Sequence, residues 1–176
     1  MKKLSVSLKE SRFVDLINKK FTGEIRKEDM IGNLQKLKPV DIGTSVLWAD
    51  NDLCVGGEYL FTFDEVTDML KGSEWRLPTV SEVRKLKDFE KDFRDGKYIF
   101  TNNGTSLTFY GHGYINVFEK SKGIQFPDNV EGWTADVHPN DCISIYIMHT
   151  PRFFNIGRYP VLDKNSSVSV RLVKDK

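Results

Sequence analysis

The chain has 176 residues, 39% of them hydrophobic, 12% aromatic and 29% charged, with a net charge of +1. That is enough apolar material for a packed core, and it excludes a disordered, collagen-like or coiled-coil chain. The charge is uneven, because residues 1–40 hold ten Lys/Arg against five Asp/Glu and residues 41–176 hold sixteen against twenty. The basic head is read as a solvated helical arm. It lacks the interleaved aromatics or a motif of a nucleic-acid binder, so nucleic acid is not expected as a partner.

No stretch approaches the ~20 apolar residues of a membrane span, and the opening Met1-Lys2-Lys3-Leu4-Ser5-Val6 lacks the apolar run of a signal peptide. The chain is therefore expected to be cytoplasmic as synthesised. Cys54 and Cys142 are expected as buried thiols rather than a disulfide. No Cys/His cluster has metal-ligand spacing, and neither a metal nor a cofactor is expected.

Residues 11–38 carry helical periodicity: Phe13, Val14, Ile17 and Phe21, then Met30, Ile31, Leu34 and Leu37. Thr22-Gly23 separates the two runs and Lys38-Pro39 stops the second. Ser45–Ala49 predicts a strand. Thr62-Phe63-Asp64-Glu65 is a T-x-x-E capping box with Phe61 and Val66 placed as a hydrophobic staple, and Val66, Met69 and Leu70 form the buried side of a helix that Gly72 ends. Thr79-Val80-Ser81-Glu82 repeats the box after Pro78, with Val83, Leu86, Phe89 and Phe93 as the apolar stripe of a second helix.

From Tyr98 onward the pattern is β, with strands predicted at 105–109, 113–117, 132–135, 143–148, 153–158 and 168–173. Ile143, Ile145 and Ile147 alternate with Ser144, Tyr146 and Met148, and Val168, Val170 and Leu172 alternate with Ser169 and Arg171. Turn signals lie between the strands at Asn102-Asn103-Gly104, Gly111-His112-Gly113, His138-Pro139-Asn140-Asp141 and Lys164-Asn165-Ser166-Ser167. Strand, helix, helix and then a run of strands is an α+β layout, with helices segregated from a mostly antiparallel sheet.

Aromatics collect in the β-rich half: Tyr110, His112, Tyr114, Trp133, Tyr146, Phe153, Phe154 and Tyr159. Flat rings beside amides and carboxylates suit a glycan or a protein partner. Trp133 is assigned to the core, and Tyr146 to the surface opposite the isoleucine face. The candidate ligand contacts are Tyr110, His112, Tyr114, His138, Asn140, Asp141 and Tyr146. The three histidines, His112, His138 and His149, are read as turn or surface residues, because a nucleophile with a His and an acid occurs in almost any chain of this size.

Four segments, in order, resemble the FISUMP-type "major paralogous domain" family of gut bacteria and their phages. They are Val40-Asp41-Ile42-Gly43-Thr44-Ser45-Val46-Leu47-Trp48-Ala49, Trp75-Arg76-Leu77-Pro78-Thr79 with Glu82, Gly132-Trp133-Thr134, and Ser169-Val170-Arg171-Leu172-Val173-Lys174-Asp175. The resemblance covers residues 40–176 and leaves residues 1–39 as a separate arm. It implies a C-type-lectin-like domain in which first and last strands pair, two helices flank the sheets and a loop-rich upper half holds any ligand site. It makes Trp75 a core plug and has Arg76 bond backbone or a nearby carboxylate.

The central motif is shared with formylglycine-generating-enzyme-like domains. That oxidation needs a cysteine pair late in the domain, and only Cys142 lies late. Phe126-Pro127-Asp128-Asn129 and His138-Pro139-Asn140-Asp141 do not match a calcium-lectin motif and are read as turns. The expectation is a non-enzymatic interaction module that binds a protein or glycan through its loops. The arm would dock it to a larger assembly, such as a phage virion, or mediate self-association. The alternatives are a calcium-independent lectin and an enzyme of formylglycine-generating type.

Overall fold

The computed structural model describes residues 32–138, 142–150, 153–158 and 163–176. Most of the predicted helical arm lies outside these residues, including Phe13, Val14, Ile17, Phe21, Met30 and Ile31. The described part of it is a helical turn at residues 32–34, after which Lys38-Pro39 leads into a strand.

The architecture is α+β. In chain order it comprises β1 (Pro39–Val40), β2 (Val46–Ala49), α1 (Phe63–Met69), α2 (Val80–Lys85), β3 (Glu90–Arg94), β4 (Lys97–Asn102), β5 (Thr105–Tyr110) and β6 (Tyr114–Ile115). It continues with β7 (Val130–His138), β8 (Cys142–Thr150), β9 (Phe153–Arg158), β10 (Ser167–Val168) and β11 (Val173–Asp175). Among the described residues the strands pair antiparallel in four small sheets, β1-β2-β11, β6-β10, β3-β4-β5 and β7-β8-β9. The closing strand β11 lies beside β2, with Val173 opposite Trp48. No helix of the described residues is long and apolar enough to cross a membrane.

Both helices start at reciprocal caps. In α1 the Glu65 amide donates to Thr62 Oγ1 (3.3 Å) and the Thr62 amide to Glu65 Oε2 (2.7 Å). In α2 the same pair of bonds joins Glu82 to Thr79 (3.2 Å) and Thr79 to Glu82 (2.7 Å), so each box satisfies two amide donors that the first turn leaves free. Glu82 does a second job. Its two oxygens accept from Arg76 Nη1 and Nη2 at 2.9 and 2.7 Å, and Arg76 also reaches Asp175 (2.9 Å) and the Leu77 carbonyl (3.2 Å). The Arg76 backbone bonds Val173 in both directions, at 2.8 and 2.9 Å. The Trp75-Arg76-Leu77-Pro78 segment thus fastens the cap of α2 to the closing strand, while Trp75 itself is buried in the core.

The described residues form two apolar cores. One gathers Leu53, Phe61, Val66, Trp133, Ile145 and Val170, and the other Trp48, Val83, Phe100, Phe109, Tyr146 and Met148. The β7-β8-β9 sheet separates them, since alternate residues of β8 enter opposite cores. The buried indoles satisfy their N–H groups: Trp133 donates to the Phe61 carbonyl (2.8 Å) and Trp48 to Thr44 Oγ1 (3.0 Å).

This two-sided burial corrects the surface assignment of Tyr146. The ring is fully buried, because the face of β8 opposite the isoleucines is covered by the second core rather than by water. It lies over Gly132, its register partner, where a Cβ would come within 2.3 Å of the phenol. Ser169 and Arg171, which alternate with apolar residues, are buried for the same reason. The predicted strand 168–173 is in fact divided. Residues 167–168 pair with β6 and residues 173–175 with β2, while between them the Val170 and Leu172 carbonyls accept from Leu53 (2.8 Å) and Ala49 (2.9 Å).

A second correction concerns Phe89 and Phe93, which do not extend the stripe of α2. The helix ends at Lys85, a 3-10 turn covers Leu86–Asp88, and Phe93 lies on β3 opposite Tyr98, with ring centroids 5.9 Å apart. Asp95-Gly96, with φ of 51° and 69°, makes the two-residue turn of a β-hairpin, and that local signal overrides the helical spacing.

The Tyr146 hydroxyl is buried with no hydrogen-bond partner among the described residues. Tyr146→Phe is therefore expected to leave stability within about 0.5 kcal/mol or to raise it, because an orphaned buried hydroxyl carries an uncompensated cost. Gly132→Ala is expected to destabilise by about 1–3 kcal/mol through overpacking against the same ring. Urea denaturation of the two variants checks both expectations.

Candidate functional site

A cleft of about 300 Å³ opens between the 51–59 loop and the end of β5, lined by Asn51, Asp52, Cys54, Tyr59, Tyr110 and His112. Two glycine pairs build it. Gly56-Gly57, both at positive φ, close a tight turn in which Val55 and Glu58 exchange backbone bonds of 3.0 and 2.9 Å. That turn sets Cys54 and Tyr59 across from each other, and the thiol and phenol hydrogen-bond. The bonded thiol, with burial and the charges of Asp52 and Tyr110 behind it, holds the Tyr59 hydroxyl above the usual tyrosine range.

The second pair brackets His112. A Cβ on Gly111 would lie 2.4 Å from the Asp128 carbonyl oxygen, and one on Gly113 would lie 2.2 Å from that of Gln125. Glycine is thus required on both sides of the histidine, so that the chain can press against the 125–129 backbone. The His112 and Gly113 amides both donate to the Asn129 carbonyl, at 3.2 and 3.0 Å. The imidazole is left facing the cleft. It stacks on Tyr59 with centroids 4.3 Å apart and planes 12° from parallel, and Tyr110 lies 6.4 Å away. Tyr59 is 39% exposed.

Beneath the rings lies a buried ion pair. Asp52 Oδ1 accepts from Arg171 Nε at 2.8 Å, with side-chain exposures of 2% and 0%. Arg171 Nη1 donates to the Ala49 carbonyl (2.7 Å), Nη2 donates to the Thr108 carbonyl, and the guanidinium sits 4.6 Å over the Phe109 ring. The second Asp52 oxygen accepts from the Tyr110 amide at 3.2 Å. It also lies 3.3 Å from His112 Nε2, without the alignment of a hydrogen bond. Arg171 neutralises Asp52, so the floor is a satisfied pair rather than a free charge.

The site therefore offers stacking rings, the Tyr59 and Tyr110 hydroxyls and the Asn51 amide. The Cys54 thiol is bonded to Tyr59 and His112 faces Asp52, so no nucleophile–base hydrogen bond is formed between Cys54 and His112. Among the described residues no group of three His, Cys, Asp or Glu side chains is placed to hold a metal ion.

Of the expected contacts, Tyr110 and His112 come together here. Tyr114 does not line the cleft; it lies on β6, stacks on Phe126 at 6.1 Å and donates to Gln125 Oε1 at 3.1 Å. Tyr146 is in the core, as described above. His138 ends β7, whereas Asn140 and Asp141, like the aromatic Tyr159, lie outside the described residues. Cys54, expected to be buried, is half-buried at the cleft wall and is a free thiol. The residues that sequence reasoning missed are Asn51, Asp52, Tyr59 and Arg171. The available signals were the Gly56-Gly57 turn and a charged residue between two apolar ones at Val170-Arg171-Leu172.

No protein-family model, no curated protein and no solved structure matches the chain.

Arg171→Lys tests the floor. An ammonium cannot reach Asp52 and two carbonyls in three fixed directions, so at least one buried acceptor loses its donor. The expected loss is about 2–4 kcal/mol of unfolding free energy, read by urea denaturation.

Proposed function

We propose that residues 40–176 form a C-type-lectin-like interaction module without enzymatic activity, which binds a glycan in the Tyr59–Tyr110–His112 cleft without calcium. The observation that carries this reading is the stacked Tyr59–His112 pair at the mouth of the cleft. Flat, partly exposed rings beside an amide and hydroxyls complement the apolar faces and hydroxyl rims of a sugar ring. A volume of about 300 Å³ is at the small end of ligand pockets and suits one or two sugar units. A protein partner could place only a side chain in it.

The lectin-like part of the proposal is supported by the pairing of β2 with the closing strand and by the two capped helices. The Trp75–Thr79 segment leading into α2 supports it further. The charge asymmetry of the sequence supports the view that residues 1–39 dock the module to a larger assembly, such as a phage virion. An oxidising enzyme of formylglycine-generating type is less well supported, because the cleft thiol Cys54 comes early in the chain and is bonded to a phenol.

A glycan array probed with the full chain, with and without chelator, tests the proposal. Binding is expected to survive the chelator and to fall about tenfold or more in Tyr59→Ala, the equivalent of about 1.4 kcal/mol. Failure to bind any glycan at high protein concentration, or binding unchanged by Tyr59→Ala, would overturn it.

A further inference from the structure

Tyr110, at the end of β5, connects the cleft to a row of cations. Its register partner on β4 is Lys97, and the partner of Lys97 on β3 is Arg94. Residues directly opposite one another in an antiparallel sheet project from the same face, so Arg94, Lys97 and Tyr110 form one cross-strand row. The row lies on the face turned away from the core. The residues next to it on each strand, Phe93, Tyr98 and Phe109, pack into the second core. The Lys97 ammonium stands 5.9 Å from the centroid of the Tyr110 ring, and that ring lies 6.4 Å from the His112 ring. Tyr110 is thus shared, as a wall of the cleft and as the seat of a cation.

Lys97 is exposed and makes no ion pair among the described residues. Arg94 differs, because its Nε pairs with Asp92 Oδ2 at 3.2 Å. Two further acids are close in the fold: Asp95 in the hairpin turn and Asp128, which lies against Gly96. Both are exposed and neither pairs with Lys97. Among the described residues Asp52 is the carboxylate that lines the cleft, and Arg171 neutralises it. The floor therefore adds no net charge, and the charge held at the Tyr110 wall is that of Lys97.

An ammonium has three donors, and in Lys97 no acid takes them. A carboxylate or sulfate group brought beside it gains a charge-assisted hydrogen bond, whereas a sugar hydroxyl gains an ordinary one of about half the strength. The cation does not obstruct a neutral sugar, so its effect is a preference and not a requirement.

We propose that the cleft prefers acidic glycans, those carrying a uronate, sialate or sulfate group, and that Lys97 is the residue that sets this specificity. The inference rests on the glycan reading of the Tyr59–Tyr110–His112 cleft. The neutral part of the ligand stacks on the Tyr59–His112 rings, and its anion extends past Tyr110 to the Lys97 ammonium. Arg94 lies two strand spacings from Tyr110, about 10 Å along the row, and would meet a longer acidic chain. Asp92 already engages it, so its contribution is expected to be smaller than that of Lys97.

A glycan array of matched pairs, probed with the full chain, tests the preference. The pairs are oligogalacturonate with its methyl ester, sialylated with unsialylated lactosamine, and sulfated with unsulfated galactose. The wild type is expected to bind the acidic member of at least one pair about three- to tenfold more tightly, and to lose that margin as salt is raised to about 0.5 M. Lys97→Met keeps an unbranched side chain against the Tyr110 ring but removes the charge, and should bring the two members of the pair to equal binding. Lys97→Arg should keep the preference and Lys97→Glu should invert it. Equal binding within every pair by the wild type, or a preference that survives in Lys97→Met, overturns the inference. Tyr59-dependent binding of neutral glycans with no acidic preference sinks this inference alone and leaves the glycan reading standing, whereas binding to no member of any pair sinks both.

Discussion

The buried pair between Asp52 and Arg171 joins three parts of the chain that are far apart in sequence. The guanidinium anchors the 49–52 segment, the end of β5 and the segment before the closing strand through one side chain. Such a pair is tolerated because its remaining hydrogen-bonding capacity is used. Arg171 spends donors on two carbonyls and lies against Phe109, and Asp52 takes the Tyr110 amide on its second oxygen. A hydrophobic replacement would fill the space, but it would leave the Ala49 and Thr108 carbonyls and the Tyr110 amide without partners. The pair thus specifies the arrangement of the cleft floor more than it adds to overall stability.

The second constraint is burial on both faces of the β7-β8-β9 sheet. Shifting β8 by one residue would exchange the isoleucines with Ser144, Tyr146 and Met148 and place each set in the wrong core. Trp133, Tyr146 and Gly132, the β7 residue opposite Tyr146, accordingly fit only one register. A rigid centre of this kind lets the surrounding turns carry the cleft. Gly111 and Gly113 hold the His112 turn close to the 125–129 backbone, where a side chain would collide. The least comfortable element of the design is Glu131, whose buried carboxyl has one oxygen, Oε2, without a hydrogen-bond partner among the described residues.

Local chemistry was legible in the sequence. The two T-x-x-E boxes form as their spacing predicts, and Asn103-Gly104 turns β4 into β5 with φ of 48° and 78°. Arg76 satisfies both of its expected alternatives, a carboxylate and a carbonyl. What failed depended on what lay opposite. Phe89 and Phe93 are spaced like a helical stripe, yet a β-hairpin takes Phe93. Period-two alternation in β8 is the same whether the far face meets water or a second core, so alternation alone cannot tell a surface Tyr146 from a buried one. The cleft was half legible. Tyr110 and His112 lie two residues apart at one visible turn, but Asp52 and Arg171 are 119 residues apart and meet only through the tertiary fold.

The most direct test of this account is a double-mutant cycle on Asp52→Asn and Arg171→Met in the full chain, followed by urea denaturation. If the pair organises the floor, each single variant leaves a buried group without its partner. The double variant should then be less destabilised than the sum of the two, with a coupling of about 2 kcal/mol or more. Additive effects, with a coupling near zero, would show that the two side chains are held in place by their surroundings and that the central interaction lies elsewhere.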